Sequence, residues 1–305
     1  MKDYYPEGWL CAAGKETKNH FNLAAVGEAK QKGTVLESPA IMCDSAHNLI
    51  VSLGDIKGII PREEGAIGIS EGKTRDIALI SRVGHPVCFV VTDIVKEESG
   101  TVAVLSRKKA QTLCMESFKK NYNVGDIIDA RITHLEAFGA FCDIGCGNIA
   151  LLPIDLISIS RISHPSDRFC VGQDIKAVIK NVDENGKITL SHKELLGTWE
   201  ENAEEFSVGQ TVTGIVRSIE DYGVFVELTP NLAGLAEPKS DVYLGEQVSV
   251  YIKSIIKEKM KIKLIIIDEF TAERPRELNY FLREGCISRW EYSPEGCQKQ
   301  IVSNF

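Results

Sequence analysis

The chain has 305 residues, with 35 Lys+Arg against 43 Asp+Glu, for a formal net charge of −8. That length suggests two or three domains, and a composition of 44% hydrophobic and 26% charged residues argues against wholesale disorder. The acidic balance speaks against a broad basic face for nucleic acid. Met1 to Asn19 holds no long apolar run, and no stretch approaches the ~18 apolar residues of a membrane span, so a cytoplasmic protein without membrane attachment is expected. The nine cysteines are scattered. Cys142 and Cys146 are the closest pair, and neither a second pair nor a His-x-x-x-His partner completes a zinc site, so reduced thiols without metal are expected.

Along the chain, the first 28 residues read as an irregular arm carrying Tyr4, Tyr5 and Trp9. Leu49 to Gly54 and Gly58-Ile59-Ile60-Pro61 form a weak first copy of a repeat. Ala110, Leu113, Cys114 and Phe118 then keep helical spacing. The repeat is plain from Val124 onward. Gly125 matches Gly209, Phe138 matches Tyr222, Gly139 matches Gly223, Phe141 matches Phe225 and Ala150 matches Gly234, all at an offset of 84 without gaps. Within each copy, runs of β-branched residues meet at a glycine flanked by aromatics, which predicts a tight hairpin or a coiled strand. Val171-Gly172 and Leu244-Gly245 open a second pair of strands, closed by the turns Asp183-Glu184-Asn185-Gly186 and Lys257-Glu258-Lys259. About five strands in ~70 residues is the arithmetic of a five-stranded OB barrel. Leu195, Leu196, Trp199, Ala203 and Phe206 return to helical spacing, and Leu278, Phe281 and Leu282 suggest a last helix before an irregular end.

The expected fold is therefore all-β: three tandem five-stranded OB barrels joined by short helical linkers. The segments are an arm (1–28), a degenerate barrel (29–109), a linker (110–122), a barrel (123–197), an acidic linker (198–206), a barrel (207–269) and a helical or irregular extension (270–305).

The residues Val124-Gly125-Asp126, Phe138-Gly139-x-Phe141, Ala150-Leu151, Val171-Gly172-Gln173 and Asp183-x-x-Gly186-Lys187-Ile188-Thr189-Leu190-Ser191-His192-Lys193 resemble the S1 RNA-binding domain. The match is close in 123–196, good in 207–267 and degenerate in 29–109, an arrangement similar to short bacterial ribosomal S1 homologues. The resemblance implies single-stranded RNA on one barrel face, lined by two aromatics, a His, an Asp and a basic residue. In the second copy Phe138 and Phe141 match the aromatics, Asp183 and Lys187 match the turn pair, and Pro153 stands at the His position. In the third copy Tyr222 and Phe225 match the aromatics. Lys261 matches the basic residue if the turn has one extra residue, while Ile256 and Glu237 replace the Asp and the His. In the first copy His47 and Ile50 replace the aromatics and Pro61 replaces the His. The implied role is holding mRNA at the small (30S) ribosomal subunit, with the first barrel docking a protein. An accessory factor of RNA decay or transcription, or a protein-interaction scaffold, stays open as an alternative.

Physical chemistry supports the same residues. Exposed rings stack bases at ~1–3 kcal/mol each whatever the base, and lysines beside them neutralise phosphates. The competing reading of Phe141 and Phe225 is barrel core. That of Lys257, Lys259, Lys261 and Lys263 is a solvated hairpin edge guarded against aggregation. His134 and His192 read as surface or structural residues, and Trp199 as a packing anchor. There is no Walker loop, GxSxG, HExxH or dinucleotide fingerprint, so no enzyme activity and no cofactor are expected.

Overall fold

The computed structural model describes residues 4–12, 21–98, 100–270 and 278–305. Its frame is three closed five-stranded barrels. The first contains β1 (Val35–Cys43), β2 (Leu49–Leu53), β3 (Ile56–Ile60), β4 (Pro86–Glu97) and β5 (Gly100–Ser106). The second contains β6 (Ile127–Glu136), β7 (Gly139–Asp143), β8 (Ile149–Pro153), β9 (Asp174–Val182) and β10 (Ile188–Ser191). The third contains β11 (Thr211–Glu220), β12 (Gly223–Thr229), β13 (Leu232–Ala236), β14 (Gln247–Ile256) and β15 (Lys261–Phe270). All three share one strand order, first-second-third-fifth-fourth, and in each the third strand lies parallel to the fifth. This is the OB topology, which closes the sheet and leaves one outer face for ligands.

The chain forms two compact units. One holds the chain up to Tyr122 together with Asp143–Ile149; the other holds Asn123–Cys142 and Ala150–Phe305. In the first unit, the stretch expected to be irregular contains two helices, α1 (Trp9–Ala12) and α2 (Leu23–Lys32). Helix α2 forms because both ends are satisfied. The Asn22 side chain accepts the Ala25 amide, and Gly33 takes the left-handed conformation that closes the last turn. Its Val26 and Ala29 complete a core of Leu49, Val51, Leu53, Ile60, Phe89 and Leu105. A one-turn helix, α3 (Ile77–Ile80), lies in the β3–β4 connection, and α4 (Arg107–Asn121) follows β5. The helical spacing of Ala110, Cys114 and Phe118 is the buried side of α4. The Ser106 hydroxyl caps α4 by accepting the Lys109 amide at 2.9 Å.

The same unit buries a polar knot. Arg107 donates two hydrogen bonds to the Glu7 carboxylate, at 2.7 and 2.9 Å. The Asp143 carboxylate accepts amides of Glu7, Gly145 and Gly147. These partners offset the cost of burying three charged groups. Cys88, Cys114 and Cys146 lie beside this knot in an apolar cluster, and burial pushes the Cys88 thiol up to about 12. Among the described residues no His, Cys, Asp and Glu group is arranged to hold a metal ion. No described helix is long and apolar enough to cross a membrane.

In the second unit, the core of barrel three extends to Val178 of barrel two and to the linker that follows it. Val178, Leu195 and Trp199 pack with Val216, Val224, Val226, Ile252, Leu264, Trp290 and Tyr292. Trp199, on α5 (Trp199–Ala203), is thus a packing anchor. Polar contacts fix the junction. Fully buried Glu227 receives both Arg168 and Arg217. The Asn231 side chain accepts the Ile159 amide and donates to the carbonyls of Lys193 and Gly197.

The C-terminal extension departs from the helix expected over Leu278, Phe281 and Leu282. Residues 271–277 lie outside the described residues. From residue 278 on there is no helix, only a two-stranded sheet of β16 (Arg289–Glu291) and β17 (Val302–Asn304). The backbone groups a helix would pair internally go to the barrels instead. The Phe281 amide donates to Leu195, the Ile287 amide to Gly125, and Gly285 accepts from Ile127. Phe281 packs against Gly197, where a Cβ would fall 2.6 Å from the ring.

His192 is held in the same unit, wholly buried. Its Nδ1 donates to the Ile157 carbonyl at 2.9 Å, and its Nε2 accepts the Tyr280 hydroxyl at 3.1 Å. Its ring meets Phe169 and Tyr280 edge-on. Burial drives its pKa down to about 4.

Candidate nucleic-acid interface

Two ring pairs stand on the outer faces of barrels two and three. Phe138, in the β6–β7 turn, is 56% exposed, and half-buried Phe141 follows on β7. Their rings meet edge to face, 5.9 Å apart at 88°. Tyr222, in the β11–β12 turn, is 65% exposed, with half-buried Phe225 on β12. That pair meets at 6.2 Å and 90°. Strand alternation explains the exposure: Val224 and Val226 point into the barrel, so Phe225 points out.

The glycine between the rings permits this geometry. A Cβ on Gly139 would lie 2.5 Å from the Leu152 carbonyl oxygen, and one on Gly223 would lie 2.4 Å from that of Ala236. Only glycine allows the neighbouring strand so close, and that approach folds the hairpin back beneath the exposed ring. His134 adds a third ring in barrel two, 6.4 Å from Phe141, with Nε2 2.8 Å from the Glu136 carboxylate. The sequence marks it only as a surface or structural residue.

Strand register places the cations. In barrel three, Ser218 pairs with Phe225, Phe225 with Leu235, Leu235 with Lys263 and Lys263 with Ser254. These side chains form one outward row, so Lys263 stands two strands from Phe225, about 10 Å across the sheet. Lys261 is two residues earlier on the same face, paired with Ile256. In barrel two the matching row runs through Leu151, Thr189 and, on β9, Asn181. Lys187, two residues before Thr189, therefore occupies the place of Lys261, while Thr189 occupies the place of Lys263. The sequence offers Lys263 only as one of four lysines at the hairpin edge, because its counterpart Thr189 is not a base. The signal for it is the parallel pairing of the third and fifth strands.

Asp183 and Lys187 close the β9–β10 turn. The Asp183 carboxylate accepts the Lys187 amide at 2.7 Å, and the Asp183 amide donates to the Lys187 carbonyl at 2.9 Å. Asp183 thereby holds the turn, and both side chains are exposed. In the first barrel no such ring pair forms among the described residues. Ile50 is only 6% exposed, and His47 sits 3.9 Å from Asp76, which Arg62 also holds.

The family model described as the S1 RNA binding domain matches residues 121–193. The small ribosomal subunit protein bS1 of Staphylococcus aureus (strain COL) is 29% identical over 235 residues, 72% of this chain and 58% of that protein. The bS1 homolog of Bacillus subtilis (strain 168) is 26% identical over 280 residues, 89% of this chain and 66% of that protein. The chain thus spans about three-fifths to two-thirds of the length of these relatives. Among solved structures, a multidomain protein with nucleic acid binding domains from Streptococcus pneumoniae is 14% identical, with a TM-score of 0.25. The match covers 77% of this chain and 74% of that one. Residues 121–193 match the S1 RNA binding domain, within a chain of three barrels that is similar over most of its length to bacterial bS1 proteins.

Proposed function

We propose that the chain is a non-catalytic RNA-binding protein of the ribosomal S1 type, which holds single-stranded mRNA on barrels two and three at the small ribosomal subunit. One observation carries this reading: an exposed edge-to-face ring pair recurs at the same place on two successive barrels. Such rings on a protein surface cost apolar exposure, and base stacking is the use that suits them. The first barrel, lacking the pair, serves to dock a protein of the subunit. In its support, exposed Ile41 and Met42 adjoin Val83, which bridges to Ala40, and exposed Ile77 and Ile80 precede Val83 on and beside α3.

The test is a titration with unstructured single-stranded RNA. Phe138→Ala combined with Phe225→Ala removes one stack from each barrel, at ~1–3 kcal/mol per base, and should weaken binding by roughly 30-fold or more. Unchanged affinity in a folded double variant would defeat the reading. Failure of the protein to co-sediment with small subunits at low salt, with RNA binding intact, would favour an accessory role away from the ribosome.

A further inference from the structure

We infer that barrel three carries an added phosphate contact, Lys263, so that the two RNA platforms divide the work: barrel three grips the backbone electrostatically, and barrel two holds bases chiefly by stacking. This rests on the RNA-binding reading and extends it to a residue outside the family's usual set.

The first ground is position. Lys263 shares the outward row of Phe225, with only Leu235 between them. A base stacked on Phe225 would carry its phosphate within reach of a side chain as long as lysine. Lys261 lies one step further along the same face, about 7 Å away by strand rise, so the two lysines can take different phosphates.

The second ground is charge. Several neighbouring lysines of barrel three are already engaged. Lys253 pairs with Glu237 at 3.3 Å, Lys257 with Glu200, and Lys239 with Glu269 at 2.8 Å. Lys261 and Lys263 have no ion-pair partner among the described residues. The acidic groups facing this row are limited. Glu237, two residues beyond Leu235, is offset by Lys253, and Glu258 lies in the hairpin turn beside Lys259. At the other end, Glu220 and Asp221 adjoin Tyr222 and repel phosphate, which directs the backbone toward β15.

The third ground is the contrast with barrel two. There Thr189 replaces Lys263, and Asp183 stands beside Lys187, where barrel three has Ile256 beside Lys261. Lys176 is paired with Asp129, while Lys180 lies over the Phe305 ring and donates to the Asn304 carbonyl. The barrel that matches the family most closely is therefore the poorer in free cations.

The experiment measures the affinity of the full chain for oligouridylate as a function of KCl concentration. Each phosphate contact on a single strand contributes about 0.7 to the slope of log K against log salt. Lys263→Ala should reduce the slope by about 0.7, and Lys261→Ala with Lys263→Ala by about twice that. The reciprocal Thr189→Lys should steepen it by about 0.7. An unchanged slope for Lys263→Ala, with wild-type binding intact and still weakened by Phe225→Ala, would overturn this inference alone. No RNA binding by the wild type at low salt would overturn the parent reading and this one together.

Discussion

His192 lies in the segment that most closely matches the S1 pattern, and its environment makes a quantitative prediction about acid. In the folded chain its ring is neutral, with Nδ1 given to the Ile157 carbonyl and Nε2 taking the Tyr280 hydroxyl, so a second proton has no place to go. Its pKa falls from 6.5 to about 4. A lowered pKa means the unfolded chain binds the extra proton first, so the stability is fully present above about 6.5 and is lost as pH falls toward 4. Working through the two pKa values, the imidazole should remove about 1 kcal/mol between pH 7.5 and 5.5, and about 3 kcal/mol by pH 4. The assay is urea unfolding followed by tryptophan fluorescence in a Trp9→Phe background, because Trp199 and Trp290 both lie in the core of the second unit. His192→Gln, run in parallel, subtracts every other titrating group. Its stability should fall less between pH 7.5 and 5.5, by about 1 kcal/mol. Equal pH dependence of the two proteins would refute the reasoning. So would an NMR titration of the folded chain in which His192 titrates near the ordinary value of 6.5. The NMR arm does not depend on the variant folding.

Two further outcomes follow from the same unit. Glu227→Ala leaves Arg168 and Arg217 side by side and almost wholly buried, and should cost about 3–5 kcal/mol in urea unfolding; a loss under about 1 kcal/mol would mean the junction relaxes to admit water. Gly223→Ala puts a methyl 2.4 Å from the Ala236 carbonyl oxygen at a backbone angle of φ +154, so the hairpin must open under Tyr222. RNA affinity should fall by the ~1–3 kcal/mol of one stack, measured in the same titration, and full affinity with unchanged stability would show that the glycine does not set the platform.

The barrels are legible in the sequence because an OB barrel repeats its punctuation. Glycines 139 and 223 are fixed by a carbonyl oxygen that no side chain could tolerate, so they stay at one offset, together with their flanking rings. The offset then breaks. It is 84 between Leu151 and Leu235 but 74 between their parallel partners Thr189 and Lys263, because the connection after β8 is longer than that after β13. A motif search aligns turns, and the third copy lacks the Asp-x-x-Gly turn, so the sequence groups Lys263 with three other hairpin lysines. Hydrogen-bond register sets it in the row of Phe225. His192 shows a different limit: Ser191-His192-Lys193 looks polar, yet the chain beyond β10 turns under Phe169 and Tyr280, contacts separated in sequence by 23 and 88 residues. The extension failed as a helix for the same kind of reason. Its periodic Leu278, Phe281 and Leu282 fit a helix locally, but its amides find barrel carbonyls first.

The net charge of −8 bears on RNA through its placement. Four negative charges sit in one short linker as Glu200, Glu201, Glu204 and Glu205, and Glu200 already neutralises Lys257. Other lysines near the rings are tied to Asp129, Glu237 and Glu269, or to the chain end. Among the described residues, Lys187, Lys261 and Lys263 stay without an ion-pair partner on the faces of the two ring pairs. On the proposed reading, three phosphate contacts give a modest electrostatic term, while the exposed rings supply ~1–3 kcal/mol per stacked base with little regard for base identity. A strongly basic face would hold any polyanion, duplexes included. On that reading, a surface that binds by stacking requires the bases unpaired, so its acidity works as a filter for single strands rather than as an obstacle to RNA.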